Sequence, residues 1–299
     1  MNNKPTVTIG IPAYNEAQNI KRLLTSVLSQ ELRTVSVEQI IVVSDCSTDE
    51  TVAEVHSVDD PRIICFPNPA RLGTALSQNR ILDANTSDIL ILLNADVAIP
   101  NNFIEQISQP ILQQQADLVG ARIQPLPHQN FFEKIINFSV NQKNNLYESL
   151  DSGNNLYTCC GRGRTFSKNL AKNLRWPKLT SEDSFSYLFC VQNGFKYAYA
   201  REATVYFRSP ANFKDHLKQS ARFLNSQKEM TRFFLKTLVN KEYSIPKRDL
   251  LTNLIQSLTK NPLNTLLYLI VLVLVKLTPN NPQYLNPTWT ASSSSKQVL

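Results

Sequence analysis

The first 120 residues alternate short apolar runs with segments of helical periodicity. Residues 7–11, 39–43, 62–66 and 89–93 are short, mostly apolar runs bounded by polar or turn-forming residues, and read as buried strands. Residues 17–30, 48–57 and 74–84 lie between them and read as helices. Strands alternating with helices at this spacing predict βαβ units, an α/β fold and a mostly parallel sheet flanked by helices. Ligands on such sheets bind beyond the carboxyl ends of the strands. The stretches that matter are then 12–16, 44–49, 67–73 and 94–97.

Farther along, residues 131–147 and 182–193 read as helices. Residues 212–239 read as one long helix, with Phe213, Leu217, Ala221, Leu224 and Phe234 as its apolar positions and six Lys or Arg between them. Residues 250–258 form a short amphipathic stretch, and residues 266–275 are ten consecutive apolar residues. A helix between Pro262 and Pro279 is roughly 24 Å long at about 1.5 Å per residue. A bilayer core is about 30 Å thick, so the segment is short for a span. An interfacial or re-entrant helix is the expectation, and a buried core helix the alternative. The Ser-rich end, 290–299, is expected to be disordered.

Composition narrows the class. A hydrophobic fraction of 42% with 18% charged residues excludes intrinsic disorder, and seven glycines exclude a collagen-like repeat. Five cysteines without a C-x-x-C pair argue for a reduced, cytosolic chain. The N-terminus shows no apolar segment of a signal peptide. The net charge of +7 is uneven: residues 1–206 carry 18 Lys and Arg against 20 Asp and Glu, residues 207–299 carry 13 against 4. The last third is thus at +9, which suits an anionic membrane face. Nucleic acid is not expected as a partner, because stacking aromatics on a sheet face are not evident.

The chemistry sits at the strand ends. Asp45 follows Ile40–Ser44, and Asp96 follows the run 89–95. An acid there beside a second polar residue suits a hard divalent cation that also holds phosphate oxygens. Each alone is as readily a turn or helix cap. Their order with other motifs decides more. Pro12-Ala13-Tyr14-Asn15-Glu16 ends the first strand and Ser44-Asp45-Cys46-Ser47-Thr48-Asp49-Glu50-Thr51 the second. Asn94-Ala95-Asp96 ends the fourth, Glu182-Asp183 follows later, and Gln219-Ser220-Ala221-Arg222-Phe223 lies in the basic helix. Over roughly residues 5–235 this series resembles the family 2 glycosyltransferases, inverting enzymes of the GT-A fold.

The resemblance implies the following. Pro12, Ala13, Tyr14 and Glu16 would line a nucleotide-sugar pocket, with Asp45 accepting a hydrogen bond from the uracil of a UDP-sugar and Arg71, Gly73, Asn94, Gln219 and Arg222 near the donor. Asp96 would ligate Mn or Mg. Asp183, with Glu182 beside it, would be the catalytic base. The acceptor would be lipid-linked or a saccharide. The chain would divide into a catalytic domain at 1–240, membrane-associating helices at 241–280 and a tail at 281–299, with the catalytic domain on the cytoplasmic side of a membrane and a place in cell-envelope polysaccharide or glycolipid synthesis. Three departures stand out: Asn94 for the first acid of D-x-D, Ser44-Asp45-Cys46 for Asp-Asp-Gly, and Phe223 for the Trp of Q-x-x-R-W. With no multi-helix channel, addition of a single sugar is favoured over processive synthesis. The alternatives are a catalytically inactive nucleotide-sugar or lipid-binding protein and, less well matched, a sugar nucleotidyltransferase, whose Gly-rich loop is missing after the first strand.

Overall fold

The computed structural model describes residues 4–278, 282–288 and 293–296. Its strands are β1 (Thr6–Ala13), β2 (Ser36–Ser44), β3 (Ile63–Pro67), β4 (Ile89–Leu93), β5 (Val97–Ala98), β6 (Leu118–Pro125), β7 (Gly163–Ser167) and β8 (Tyr197–Phe207). Its helices are α1 (Ile20–Leu28), α2 (Thr51–His56), α3 (Thr74–Ala84), α4 (Phe103–Leu112), α5 (Phe131–Ser149), α6 (Lys168–Asn173), α7 (Glu182–Gln192), α8 (Phe213–Met230), α9 (Lys236–Glu242), α10 (Lys247–Lys260) and α11 (Pro262–Leu277).

One eight-stranded sheet runs in the order β3-β2-β1-β4-β7-β6-β8-β5. The strands β3-β2-β1-β4 are parallel, as are β6 and β8; β7 runs antiparallel to both β4 and β6, and β5 antiparallel to β8. Strand β4 is buried on both faces, Ile89, Ile91 and Leu93 in one core and Leu90 and Leu92 in the other, which explains its unbroken apolar run. Helix α1 buries Ile20, Leu23, Leu24 and Val27 at helical spacing. The strand order reverses beside β1, so a crevice opens past Ala13, Ser44 and Leu93, where such sheets bind ligands.

Two sequence expectations change. The helix expected over 212–239 is broken into α8 and α9 between Met230 and Lys236. Met230, Phe234 and Val239 are all buried. The step from 234 to 239 is about 500° of rotation in a straight helix, roughly 140° off the shared face. The break brings Val239 back to the core. Also, Leu224 does not belong to a buried face: it is 53% exposed, and Phe223 is 56% exposed. Helix α11 buries Thr265, Val271 and Val275 and leaves Leu263, Leu266, Ile270, Val273, Leu274 and Leu277 exposed, so it is no core helix. Of the Ser-rich end, residues 293–296 fold back on the domain; 290–292 and 297–299 lie outside the described residues.

Candidate active site

The two strand-end loops after β1 and β2 are stitched together. Asn15 takes a left-handed φ of 53°. Its Oδ1 accepts from the Thr48 N–H at 2.8 Å, and its own N–H donates to Ser47 Oγ at 3.1 Å. The Glu16 N–H donates to Thr51 Oγ1 at 2.7 Å, and the Ala17 N–H to Asp49 at 3.2 Å. Ser47, Thr48, Asp49 and Thr51 are therefore scaffold residues of the site. The sequence offered a signal for them, since side-chain acceptors of this kind favour turns.

Asp45 is buried and serves as the hub of the third loop. Its Oδ1 accepts from Asn68 Nδ2 (2.9 Å) and the Leu72 N–H (2.8 Å). Its Oδ2 accepts from Arg71 Nε (3.1 Å) and the Gly73 N–H (2.9 Å). Burial alone would push this carboxyl up; the donors Leu72, Asn68, Gly73 and Arg71 outweigh it and hold it below the ordinary range. The Arg71 guanidinium stacks 3.3 Å from the centre of the Tyr14 ring. Gly73 sits at φ 91°, which favours glycine.

Asp96 follows β4 and lines the same cavity as Pro12, Ala13, Glu16, Asn94 and Asp183. Arg22 and Arg222 lie in its field. Glu16 faces it: burial first, then the charge of Asp96, pushes the Glu16 carboxyl up to about 7, against the pull of Lys296. Among the described residues no three His, Cys, Asp or Glu side chains form a metal cage. The donors present fit a hard divalent cation that takes one carboxylate, Asp96, and completes its sphere with phosphate oxygens and water. Glu16 and Asn94 are further oxygen donors in the same cavity wall.

Glu182 and Asp183 open α7. Asp183 Oδ2 accepts from the Gly161 N–H at 3.3 Å and Oδ1 from the Ser184 N–H at 2.7 Å. Glu182 lies by the fully buried Arg164, 3.9 Å away. Burial, and next the charge of Asp183, push the Glu182 carboxyl up to about 7, with Arg164 opposing. Arg164 belongs to β7 and is fully buried. Its Nη1 donates to the Glu182 carbonyl at 3.0 Å and Ser186 Oγ at 2.7 Å, and Trp176 Nε1 donates to the same two groups at 2.9 and 3.0 Å. Arg164 and Trp176 thus fix the first turn of α7. Arg222 is half-buried, in the field of Glu182 and Asp183; loss of hydration brings its guanidinium down to about 10, and the two acids oppose that shift. It stays cationic near neutrality.

All the expected site residues but Gly73 line one cavity of about 770 Å³, and Gly73 adjoins it through Asp45. The cavity continues past Phe223 to Leu254, Tyr268 and Leu272 on α10 and α11. Residues 8–175 match the family described as Glycosyl transferase family 2, more than half of the chain. The chain belongs to glycosyltransferase family 2. Among its relatives in the family is the succinoglycan biosynthesis protein ExoO of Rhizobium meliloti, 31% identical over 119 residues, which are 40% of this chain and 32% of that protein. Succinoglycan biosynthesis protein ExoA of the same organism is 28% identical over 138 residues, 45% of this chain and 41% of that protein. The matches thus span less than half of these curated relatives. The family fold recurs in the mannosyltransferase PcManGT of Pyrobaculum calidifontis, solved with GDP-Man and Mn2+, at a TM-score of 0.61 and 16% identity over 93% of this chain and 82% of that one. It recurs too in S. aureus TarS 1–349 with UDP-GlcNAc, at a TM-score of 0.56 and 15% identity over 79% and 69% of the two chains. At these identities the likeness is one of fold.

Proposed function

We propose that this chain is an inverting glycosyltransferase that moves a sugar from a UDP-sugar or related nucleotide sugar to a hydroxyl of a lipid-linked or saccharide acceptor, with Mn or Mg bound at Asp96. The observation that carries the reading is the convergence of Asp45, Asp96 and Asp183, from three separate stretches of chain, on one cavity wall. Relatives named for succinoglycan biosynthesis and fold neighbours solved with nucleotide sugars support it.

The base end of the donor would enter between Tyr14 and the loop 68–73. The four hydrogen bonds at Asp45 use its acceptor positions. A uracil N–H therefore reaches Asp45 in exchange for one of them, and the Arg71 side chain is the partner with rotatable bonds to spare. A bound cation would neutralise the diphosphate. Asp183 would take the proton of the acceptor hydroxyl as its oxygen forms the new bond to the anomeric carbon. The bond from that carbon to the diphosphate breaks on the opposite face, and the configuration inverts. Arg222 offers fixed positive charge beside Glu182 and Asp183.

The exposed Phe223 and the apolar surfaces of α10 and α11 border the same cavity, which supports an acceptor delivered at a membrane surface. In this reading residues 1–240 catalyse, 241–280 rest on the cytoplasmic leaflet, and the chain serves cell-envelope polysaccharide or glycolipid synthesis. Asn94 is the observation favouring the alternative, a nucleotide-sugar- or lipid-binding protein without turnover. The deciding experiment measures UDP and GDP release from a panel of nucleotide sugars, with Mn, with Mg and with chelator, in the presence of lipid-linked and soluble saccharide acceptors. Metal-stimulated release of UDP with a product of inverted configuration is expected. Nucleotide binding without release in every arm would replace the enzyme reading with the binding one.

A further inference from the structure

The donor pocket already holds a cation belonging to the chain itself. The Lys296 ammonium donates to the Tyr14 carbonyl at 2.5 Å, to the Asn15 carbonyl at 2.6 Å and to Glu16 Oε1 at 2.9 Å. These contacts use its three N–H bonds. It lies 5.7 Å from the centre of the Tyr14 ring. The preceding residues hold it there. Ser294 Oγ donates to Asp215 at 2.6 Å and accepts from the Ala211 N–H at 3.2 Å, and Ser295 Oγ accepts from Gln219 Nε2 at 3.5 Å. Earlier in the same segment, the Pro287 carbonyl lies 2.6 Å from where a Cβ on Gly73 would stand.

Four of the positions touched, Tyr14, Glu16, Gly73 and Gln219, are assigned above to the nucleotide sugar. The charge logic is the same for both occupants. Glu16 is a buried acid in the field of the half-buried Asp96, and a buried acid beside a second one favours a compensating cation. The ammonium supplies one charge; a metal–nucleotide complex would supply the metal. The two occupants compete for Glu16, and Lys296, Ser295 and Pro287 line the same cavity as Asp45 and Asp96.

We propose that Lys296, carried by Ser294 and Ser295, is an internal occupant of the donor pocket that the metal–nucleotide complex must displace from Glu16. The proposal rests on the donor-pocket reading of the preceding subsection. The pocket is then competent only in the fraction of molecules whose tail is released, and apparent donor affinity falls by that fraction. Release of nucleotide after transfer is assisted by the same return of the ammonium.

The test uses the full chain and two probes, UDP with Mn and GDP with Mn. Titration calorimetry on the wild type and on Lys296→Ala should give about tenfold tighter UDP binding in the variant if roughly nine molecules in ten are strapped. Hydrogen exchange of residues 294–296 should be slow in the unliganded wild type. It should become fast in Lys296→Ala and on addition of UDP with Mn. Equal affinities in the two forms would overturn the proposal. So would weaker binding in Lys296→Ala, which would make the lysine a diphosphate ligand. If neither nucleotide binds either form, the donor reading itself fails and competition falls with it.

Discussion

Glu182 and Asp183 are adjacent in the chain and differ in surroundings, and the difference sets what each does. Asp183 is oriented by two backbone N–H groups and lines the cavity. Replacing it with Asn keeps size and removes the base. Asp183→Asn is expected to retain nucleotide affinity by calorimetry and to lose about 10²–10⁴-fold in single-turnover transfer; near-normal transfer would remove Asp183 from the mechanism. Glu182 titrates instead. Its folded carboxyl stands at about 7, above the ordinary 4.5. Between those values the folded state binds more protons than the unfolded one, so its contribution to stability falls as pH rises. Thermal melts from pH 4.5 to 8 should therefore show Tm dropping more steeply with pH in the wild type than in Glu182→Gln. Parallel curves would contradict the assignment. At this scale the placement of Asp45 and Asp96 past buried strands was legible in their apolar runs, whereas Glu182 and Asp183 stood out only through the family resemblance. Arg164 was not. A charged residue in sequence reads as surface, and nothing local reveals that Ser186, Gln78 and the Glu182 carbonyl will accept from its Nη atoms when buried.

Among elements, the first turn of α7 and the turn before β7 form one unit. The Gly161 N–H orients Asp183, and a Cβ on Gly161 would lie 2.9 Å from Glu182 Oε1. The Glu182 side chain has Arg164 3.9 Å away on one side and the cavity on another. A methyl group at Gly161 should push the Glu182 carboxyl aside and, through the turn that carries the Gly161 N–H, shift Asp183 by a fraction of an ångström. A misplacement of about 1 Å can cost 10²-fold. Gly161→Ala should lower kcat about tenfold or more while leaving the calorimetric affinity for UDP with Mn unchanged. Loss of affinity in step with kcat would mean that the turn serves the donor and not the base. The parallel strands and α3 were legible because burial on both faces writes itself as unbroken apolar runs and helical steps. The α8–α9 break was not, since the face that Val239 must meet is created by α7, far away in sequence. The antiparallel insertion of β7 between β4 and β6 was hidden for the same reason: its partners are fixed by topology, not by local pattern.

For the molecule as a whole, charge and apolar surface concentrate on the same third. Residues 207–299 carry 13 Lys and Arg against 4 Asp and Glu. Helices α10 and α11 expose Leu251, Ile255, Leu263, Leu266, Ile270 and Leu277. Among the described residues no helix is long and apolar enough to cross a membrane. A surface of this kind fits helices lying in the plane of a leaflet, with apolar side chains inserted and basic ones at the headgroups. The two contributions respond differently to salt. Basic residues contribute about 1 kcal/mol each at best and are screened. Apolar burial, at about 25 cal/mol per Å², is not screened. The intact chain is therefore expected to float with anionic vesicles at low salt and to remain partly bound at high salt, with weaker binding to neutral vesicles. The double variant Leu266→Asp, Ile270→Asp alters two exposed positions and should leave the fold and UDP binding intact. It should keep a salt-sensitive remnant of anionic-vesicle binding and lose the salt-resistant part. If the wild type stays in the aqueous fraction at low salt, the surface has another use. If the double variant binds like the wild type in high salt, the inserted face is not on α11.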